Sequence, residues 1–196
     1  MSLTPAQRAD AYNATFGVRY PASRLVADAR WVQGVWVMGN NYRSRSGFYG
    51  SYPPSYLARV GALFQDVVYQ EEILHVFSGS LPAGGYVRCD LQQESELRGS
   101  VYDLPTLTAG TFRLVYADPP YTKADAARYG APMVDRRRAL RAIAAVTREG
   151  GHLVWLDTVL PMFRKVDWRW WGVIGIVRSS NHRVRCAFMF ERTGGG

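Results

Sequence analysis

Phe112-Arg113-Leu114-Val115-Tyr116-Ala117-Asp118-Pro119-Pro120-Tyr121 is the stretch from which the rest of the chain is read. The apolar run predicts a buried strand, and the two prolines stop it because proline has no N–H to give to a ladder. Such a strand end places a carboxylate, a proline carbonyl and an aromatic face at one rim of a sheet. Those groups can hold a flat exocyclic amine still while its nitrogen is attacked. Asp-Pro-Pro is also ordinary turn chemistry, so the segments around it decide between the two readings.

The chain has 196 residues, enough for one domain with its own core, and 47% of them are hydrophobic. No apolar stretch reaches the length of a bilayer span, and Met1 to Asp10 lacks the layout of a signal peptide. Cys89 and Cys186 fit no metal spacing, and the three histidines are scattered, so no metal site is expected. Free thiols in strands suit a reducing compartment, and a soluble cytoplasmic protein is expected. The net charge is +8, carried almost wholly by arginine; only Lys123 and Lys165 are lysine. Arginine binds phosphate bidentately and stacks on bases, which favours a nucleic-acid partner. Genomic base composition also exchanges lysine for arginine, and both explanations stand at this point.

Residues 1–30 read as helical. Residues 31–52 turn rich in Gly, Asn, Ser, Tyr and Arg, and Gly39 to Gly50 has the composition of a mobile basic loop. Together, residues 1–52 are expected to be an N-terminal extension. Pro53-Pro54 opens a helix to about Phe64, with Leu57, Val60, Gly61 and Phe64 on one face. Strands are predicted at Glu72–Phe77, Tyr86–Cys89, Phe112–Ala117 and His152–Leu156. A basic helix is predicted from about Val134 to Arg148, ended by Gly150-Gly151. Gly172–Val177 and Val184–Phe190, joined through Arg178 to Arg183, read as a terminal hairpin. Strands alternating with helices and closing on a hairpin indicate a three-layer α/β domain. Arg136, Arg137, Arg138 and Arg141 read as a solvated helix face, and at least one of Trp168, Trp170 and Trp171 as core.

Three further segments precede the tetrapeptide in order: Leu74-His75-Val76-Phe77-Ser78-Gly79-Ser80, then Asp90, then Tyr102-Asp103-Leu104-Pro105. Each stands at a predicted strand end. A tight glycine turn after a strand lets a backbone approach a nucleotide-like ligand, and an acid ending the next strand can bind ribose hydroxyls. With Asp118-Pro119-Pro120-Tyr121, the set resembles the amino-methyltransferases that carry S-adenosylmethionine (SAM) methyl groups to adenine N6 or cytosine N4, in a small bacterial or phage form. The resemblance spans about Tyr49 to Glu191. It implies a Rossmann-like class I methyltransferase sheet ending in an antiparallel β-hairpin.

It also implies roles. His75, Phe77, Ser78, Gly79, Asp90, Asp103, Leu104 and Asp118 would line the SAM site, with S-adenosylhomocysteine as product. Asp118, Pro119, Pro120 and Tyr121 would carry catalysis, Tyr121 by stacking on the base. The sequence departs from the family at His75, where an acid is usual, and at Leu81, where a glycine is usual. Residues 80–89 are short for a parallel crossover, so the link is either an irregular loop or the second strand is placed unusually. No room is left for a separate target-recognition domain. Target contacts are expected from Arg43 and Arg45 in the basic loop and from Arg178, Arg183 and Arg185 on the hairpin. The expected reaction is adenine-N6 methylation of DNA. Alternatives are the same reaction on RNA, or a non-catalytic SAM-fold subunit that binds nucleic acid for a partner. DNA is favoured over RNA as partner, and a specificity partner or homodimer remains open.

Overall fold

The computed structural model describes residues 2–39, 52–178 and 181–194. One nine-stranded sheet organises them: β1 (Leu25–Ala27), β2 (Val32–Met38), β3 (Ile73–Val76), β4 (Val87–Asp90), β5 (Leu97–Arg98), β6 (Phe112–Ala117), β7 (Thr147–Asp157), β8 (Trp168–Arg178) and β9 (Asn181–Arg192). Their order across the sheet is β1-β2-β8-β9-β7-β6-β3-β4-β5. All run parallel except β1 and β9. From β3 the chain winds outward through β4 and β5. It then returns to the other side of β3 for β6 and β7, and β8–β9 closes it as an antiparallel hairpin. This is the mixed α/β, Rossmann-like sheet with a terminal hairpin that the sequence predicts.

Helices cover both faces. α1 (Pro5–Tyr12) and α2 (Tyr56–Leu63) pack on one, with Tyr12, Trp36, Tyr56, Leu114, Tyr116 and Val154 in that core. The short α3 (Leu104–Leu107) and α5 (Arg136–Val146) pack on the other, over Val115, Ala117, Leu153, Trp155 and Trp168. Alternation explains the split: successive residues of a strand point to opposite faces, so β6 sends Tyr116 one way and Val115 and Ala117 the other. α4 (Lys123–Arg128) follows the Asp-Pro-Pro-Tyr turn, N-capped by Thr122, whose side chain accepts from the Asp125 amide.

Residues 2–30 depart in part from the helical reading, with β1 at Leu25–Ala27. α1 begins with a capping box, Thr4 Oγ1 accepting from the Gln7 amide while Gln7 Oε1 accepts from Thr4. It buries Pro5, Arg8, Ala9 and Tyr12, then loosens into a π-turn over Asn13–Gly17. There the Asn13 amide bonds both backbone groups of Leu25. No strand is expected over β2, yet Val32, Trp36 and Met38 are buried and Gln33, Val35 and Val37 exposed. That period of two is a strand signal, masked by Gly34 and by the polar residues that follow. β2 pairs in parallel with β8 from Val32–Gly172 to Met38–Arg178. Residues 5–38 thus contribute two strands to the sheet and one helix to a face of it.

Two smaller corrections concern helices. α2 buries Tyr56, Val60, Leu63 and Phe64, while Gly61 is exposed and Leu57 is only partly covered. α5 ends at Val146 rather than at the glycines, which lie inside β7, with Gly150 at φ +69°. Pairing jumps from Phe112–Thr147 to Leu114–His152, so residues 148–151 bulge out of the ladder. The linker between β3 and β4 is an irregular loop with no helix, and the strands pair directly in parallel. A bond from the Ser78 amide to the Cys89 carbonyl (3.3 Å) and one from Arg88 Nη1 to the Leu81 carbonyl (2.8 Å) secure it.

Candidate functional site

The direction of winding reverses between β3 and β6, and open α/β sheets bind ligands in the crevice beyond the strand ends at such a point. A cavity of about 260 Å³ opens there. Its walls include Phe77 and Gly79 after β3, Asp90 to Gln93 after β4, Gly99 to Tyr102 before α3, and Asp118 and Pro120 after β6. Phe77 and Gly79 both have positive φ, 58° and 52°. A phenylalanine in that region is strained, and it turns the chain sharply enough to bring Gly79 to the cavity. Asp90 then holds the loops together. Its Oδ2 accepts from the Gly79 amide (2.8 Å), and its Oδ1 accepts from the amides of Gln92 (2.8 Å) and Gln93 (2.9 Å). Cys89 lies deep in the wall, its thiol pushed up to about 12 by burial and by Asp90 and Asp103, so it stays protonated.

Asp118 stands where this cavity meets the aromatic side of the sheet. Burial pushes its carboxyl up to about 6, against the opposing influence of Arg185 and of a hydrogen bond donated by the Tyr121 hydroxyl to Oδ1; Asp157 adds to the rise. Among the described residues no donor reaches Oδ2. The Arg185 guanidinium lies over the Tyr121 ring, 4.8 Å from its centre. The loop itself is anchored from β7: Arg136 pairs with the fully buried Asp157 (Nε–Oδ2 2.7 Å) and donates to the Tyr121 carbonyl (3.2 Å). Trp155 Nε1 also donates to Asp157 (3.1 Å). On the aromatic side, Tyr52 stacks on Tyr56 (5.4 Å), and His75 stacks on Tyr116 (4.5 Å).

The expected residues thus divide. Phe77, Gly79, Asp90, Asp118 and Pro120 meet at one cavity, with Tyr121 hydrogen-bonded to Asp118 at its edge and Pro119 buried between them. His75 does not line it. Strand alternation turns its ring to the opposite face, where burial holds it neutral with a pKa of about 3 and Nδ1 meets the Tyr52 hydroxyl at 3.3 Å. Ser78 is buried beneath the turn, Leu104 is in the core under α3, and Asp103 is exposed at the start of α3. The stretch just before them, Gly99 to Tyr102, forms that wall instead, because the turn that caps α3 faces Leu104 inward and Asp103 outward. Arg178 and Arg185 flank the Asp118 rim, each with a buried Nε that has no partner among the described residues. Arg43, Arg45 and the Arg183 side chain lie outside the described residues.

Several contributors were not anticipated. Gln92 and Gln93 form an Asx-type turn on Asp90, a pattern that Asp-x-Gln-Gln after a strand announces only once the strand end is known. Arg136 turns inward to Asp157 while Arg137, Arg138 and Arg141 stay exposed; nothing in the basic run distinguishes it. Tyr52 and Tyr56 come from a segment read for its prolines. No group of metal-ligating side chains occurs among the described residues, and no helix there is long and apolar enough to cross a membrane.

No protein-family model matches the chain, and no curated protein matches it by sequence. Among solved structures it is similar to TrmN from Thermus thermophilus, with a TM-score of 0.44 and 14% identity over 67% of this chain. The match covers 48% of that protein, so this chain spans about half its length.

Proposed function

We propose that this chain transfers a methyl group from SAM to the exocyclic amine of a nucleobase, adenine N6 in DNA. The observation that carries the reading is Asp118-Pro119-Pro120-Tyr121 at the end of β6, with Asp118 itself forming the wall of the switch-point cavity. The cavity suits SAM. Gly79 brings backbone close to the ligand, Asp90 offers a carboxylate for ribose hydroxyls, and Leu91, Tyr102 and Val134 give an apolar slot for a ring. Bound SAM supplies an electrophilic methyl group on a sulfonium and leaves as S-adenosylhomocysteine.

The amine lone pair of adenine is delocalised into the ring, and this chain's task is to localise it. Asp118 Oδ2 and the Pro119 carbonyl accept hydrogen bonds from the amine and draw its nitrogen towards tetrahedral geometry. As the N–C bond forms the nitrogen sheds a proton, and the Asp118 carboxylate is placed to receive it. Tyr121 leaves Asp118 to stack on the base, which must be unpaired or flipped from a duplex. Positioning and fixed charge supply the acceleration. Arg178 and Arg185, with Arg43, Arg45 and Arg183, hold the strand by its phosphates.

Mass spectrometry of nucleosides from cells expressing the wild type and Asp118→Ala tests the reading. N6-methyladenine should appear in DNA with the wild type only, while both proteins keep their thermal shift with SAM. Methylation confined to RNA would move the substrate to RNA. SAM binding without transfer to either nucleic acid would leave a non-catalytic subunit.

A further inference from the structure

Between Asp118 and Tyr121 stand two prolines, and a proline has no N–H by which a turn can be tied down. A side chain from another element holds the far end of this turn. Arg136, the first residue of α5, reaches β7 and the turn together. Its Nε donates to Asp157 Oδ2 (2.7 Å), and its Nη2 donates both to Asp157 Oδ1 (3.2 Å) and to the Tyr121 carbonyl (3.2 Å). Asp157 is fully buried, and both its oxygens take a second donor: Trp155 Nε1 on Oδ2 (3.1 Å) and the Thr158 amide on Oδ1 (2.7 Å). Stability does not account for such a network. Burying an ion pair costs desolvation that its attraction barely repays, and an apolar pair of similar volume serves a core as well. An apolar pair cannot fix a direction, however. The guanidinium is planar with its donors in a rigid fork. Once Nε and Nη2 are set on the Asp157 carboxylate, the remaining Nη2 hydrogen has one direction, and the Tyr121 carbonyl occupies it.

We infer that Arg136 is a positioning residue for methyl transfer: by fixing the Tyr121 carbonyl it sets where Asp118 and the Pro119 carbonyl stand against the amine they hold. The two prolines make the segment stiff, because each has its φ locked, so a displacement at Tyr121 is passed back to Asp118 rather than absorbed. Transfer needs the nitrogen, the methyl carbon and the sulfur in line, and a misplacement of about 1 Å costs roughly 100-fold. Arg136 does not line the cavity, so it acts through the turn alone. This rests on the methyl-transfer reading above and names what holds that site in register.

Two variants separate positioning from packing. Arg136→Lys keeps a positive charge beside Asp157 but has no fork with which to reach the Tyr121 carbonyl at the same time. Arg136→Met combined with Asp157→Asn removes both charges together, so no buried carboxylate is left unpaired. Each should melt within about 5 °C of the wild type and keep its KM for SAM. The kcat should fall about ten-fold in Arg136→Lys and about 100-fold in the double variant. Hydrogen exchange should quicken at Asp125 and Ala126, whose amides bond Thr122 just after the turn, while β6 and β7 stay protected. Wild-type kcat in the folded double variant overturns the inference, and so does a loss that appears wholly as a raised KM for SAM. Should the double variant not fold, Arg136→Lys decides alone, and wild-type kcat there overturns it. Failure of the underlying reading looks different: the wild type then transfers no methyl group to DNA or RNA. The exchange measurement still decides whether Arg136 holds the turn, and unchanged exchange at both amides refutes that.

Discussion

Arg185 is placed to set the pH at which this site works, and removing its charge should move that pH upward. Its guanidinium lies 4.8 Å from the centre of the Tyr121 ring, whose hydroxyl bonds Asp118. The two charges are therefore roughly 7 Å apart, for which Coulomb's law at an effective dielectric of about 20 gives ~2 kcal/mol, or nearly two pKa units. Arg185 is half-buried, and screening by water and ions reduces this to about one unit. Asp118, now near 6, should titrate near ~7 in Arg185→Gln. Only the ionised carboxylate accepts both the hydrogen bond and the proton, so activity is lost as pH falls through that pKa. At pH 6 the ionised fraction drops from about a half to about a tenth, a roughly five-fold loss, while above pH 8 the two proteins should have the same profile shape. The assay is kcat/KM from pH 5 to 9, reading the position of the acid limb rather than its height, since Arg185 is also proposed to hold the strand. Arg185→Lys should keep the limb near 6. A limb that stays in place in Arg185→Gln, or moves to lower pH, refutes the reasoning.

Saturating SAM at about 100 times its dissociation constant should add roughly 2.7 kcal/mol of stability by thermal shift. Asp90→Ala removes the acceptor for three backbone amides, so it should cost roughly 3 kcal/mol and erase most of that shift; an unchanged shift would take Asp90 out of the cofactor site. Trp36→Ala empties a fully buried position between Tyr12 and Tyr56 and should cost about 3–5 kcal/mol in urea denaturation. A cost under about 1 kcal/mol would mean that the N-terminal layer is not part of the cooperative core. Nucleic-acid affinity should fall with salt, and neutralising Arg178 and Arg185 together should flatten the log–log slope by about 1.4–1.8 without changing which base is methylated.

β6 and the residues after it were legible at once, because a run of Phe, Leu, Val, Tyr and Ala ended by two prolines leaves the backbone little choice. β3, β4 and the core of the β8–β9 hairpin were legible too, although β8 starts at Trp168 rather than Gly172 and β9 runs from Asn181 to Arg192, because pairing with neighbouring strands extends a ladder past its apolar run. Local chemistry likewise marked Gly79, Asp90 and Asp118 as strand-end residues. Tertiary structure alone decided which strand ends share a rim, and therefore that these three meet at one cavity. It also decided on which face each side chain lies. A period of two tells that His75 and Leu74 point apart, but only the packing of α1 and α2 tells which side is the aromatic one. β2 joined the sheet because β8 offered it a parallel edge. Arg136 was illegible for the same reason: its partner, Asp157, is distant in sequence, and a contact between remote residues leaves no periodicity behind.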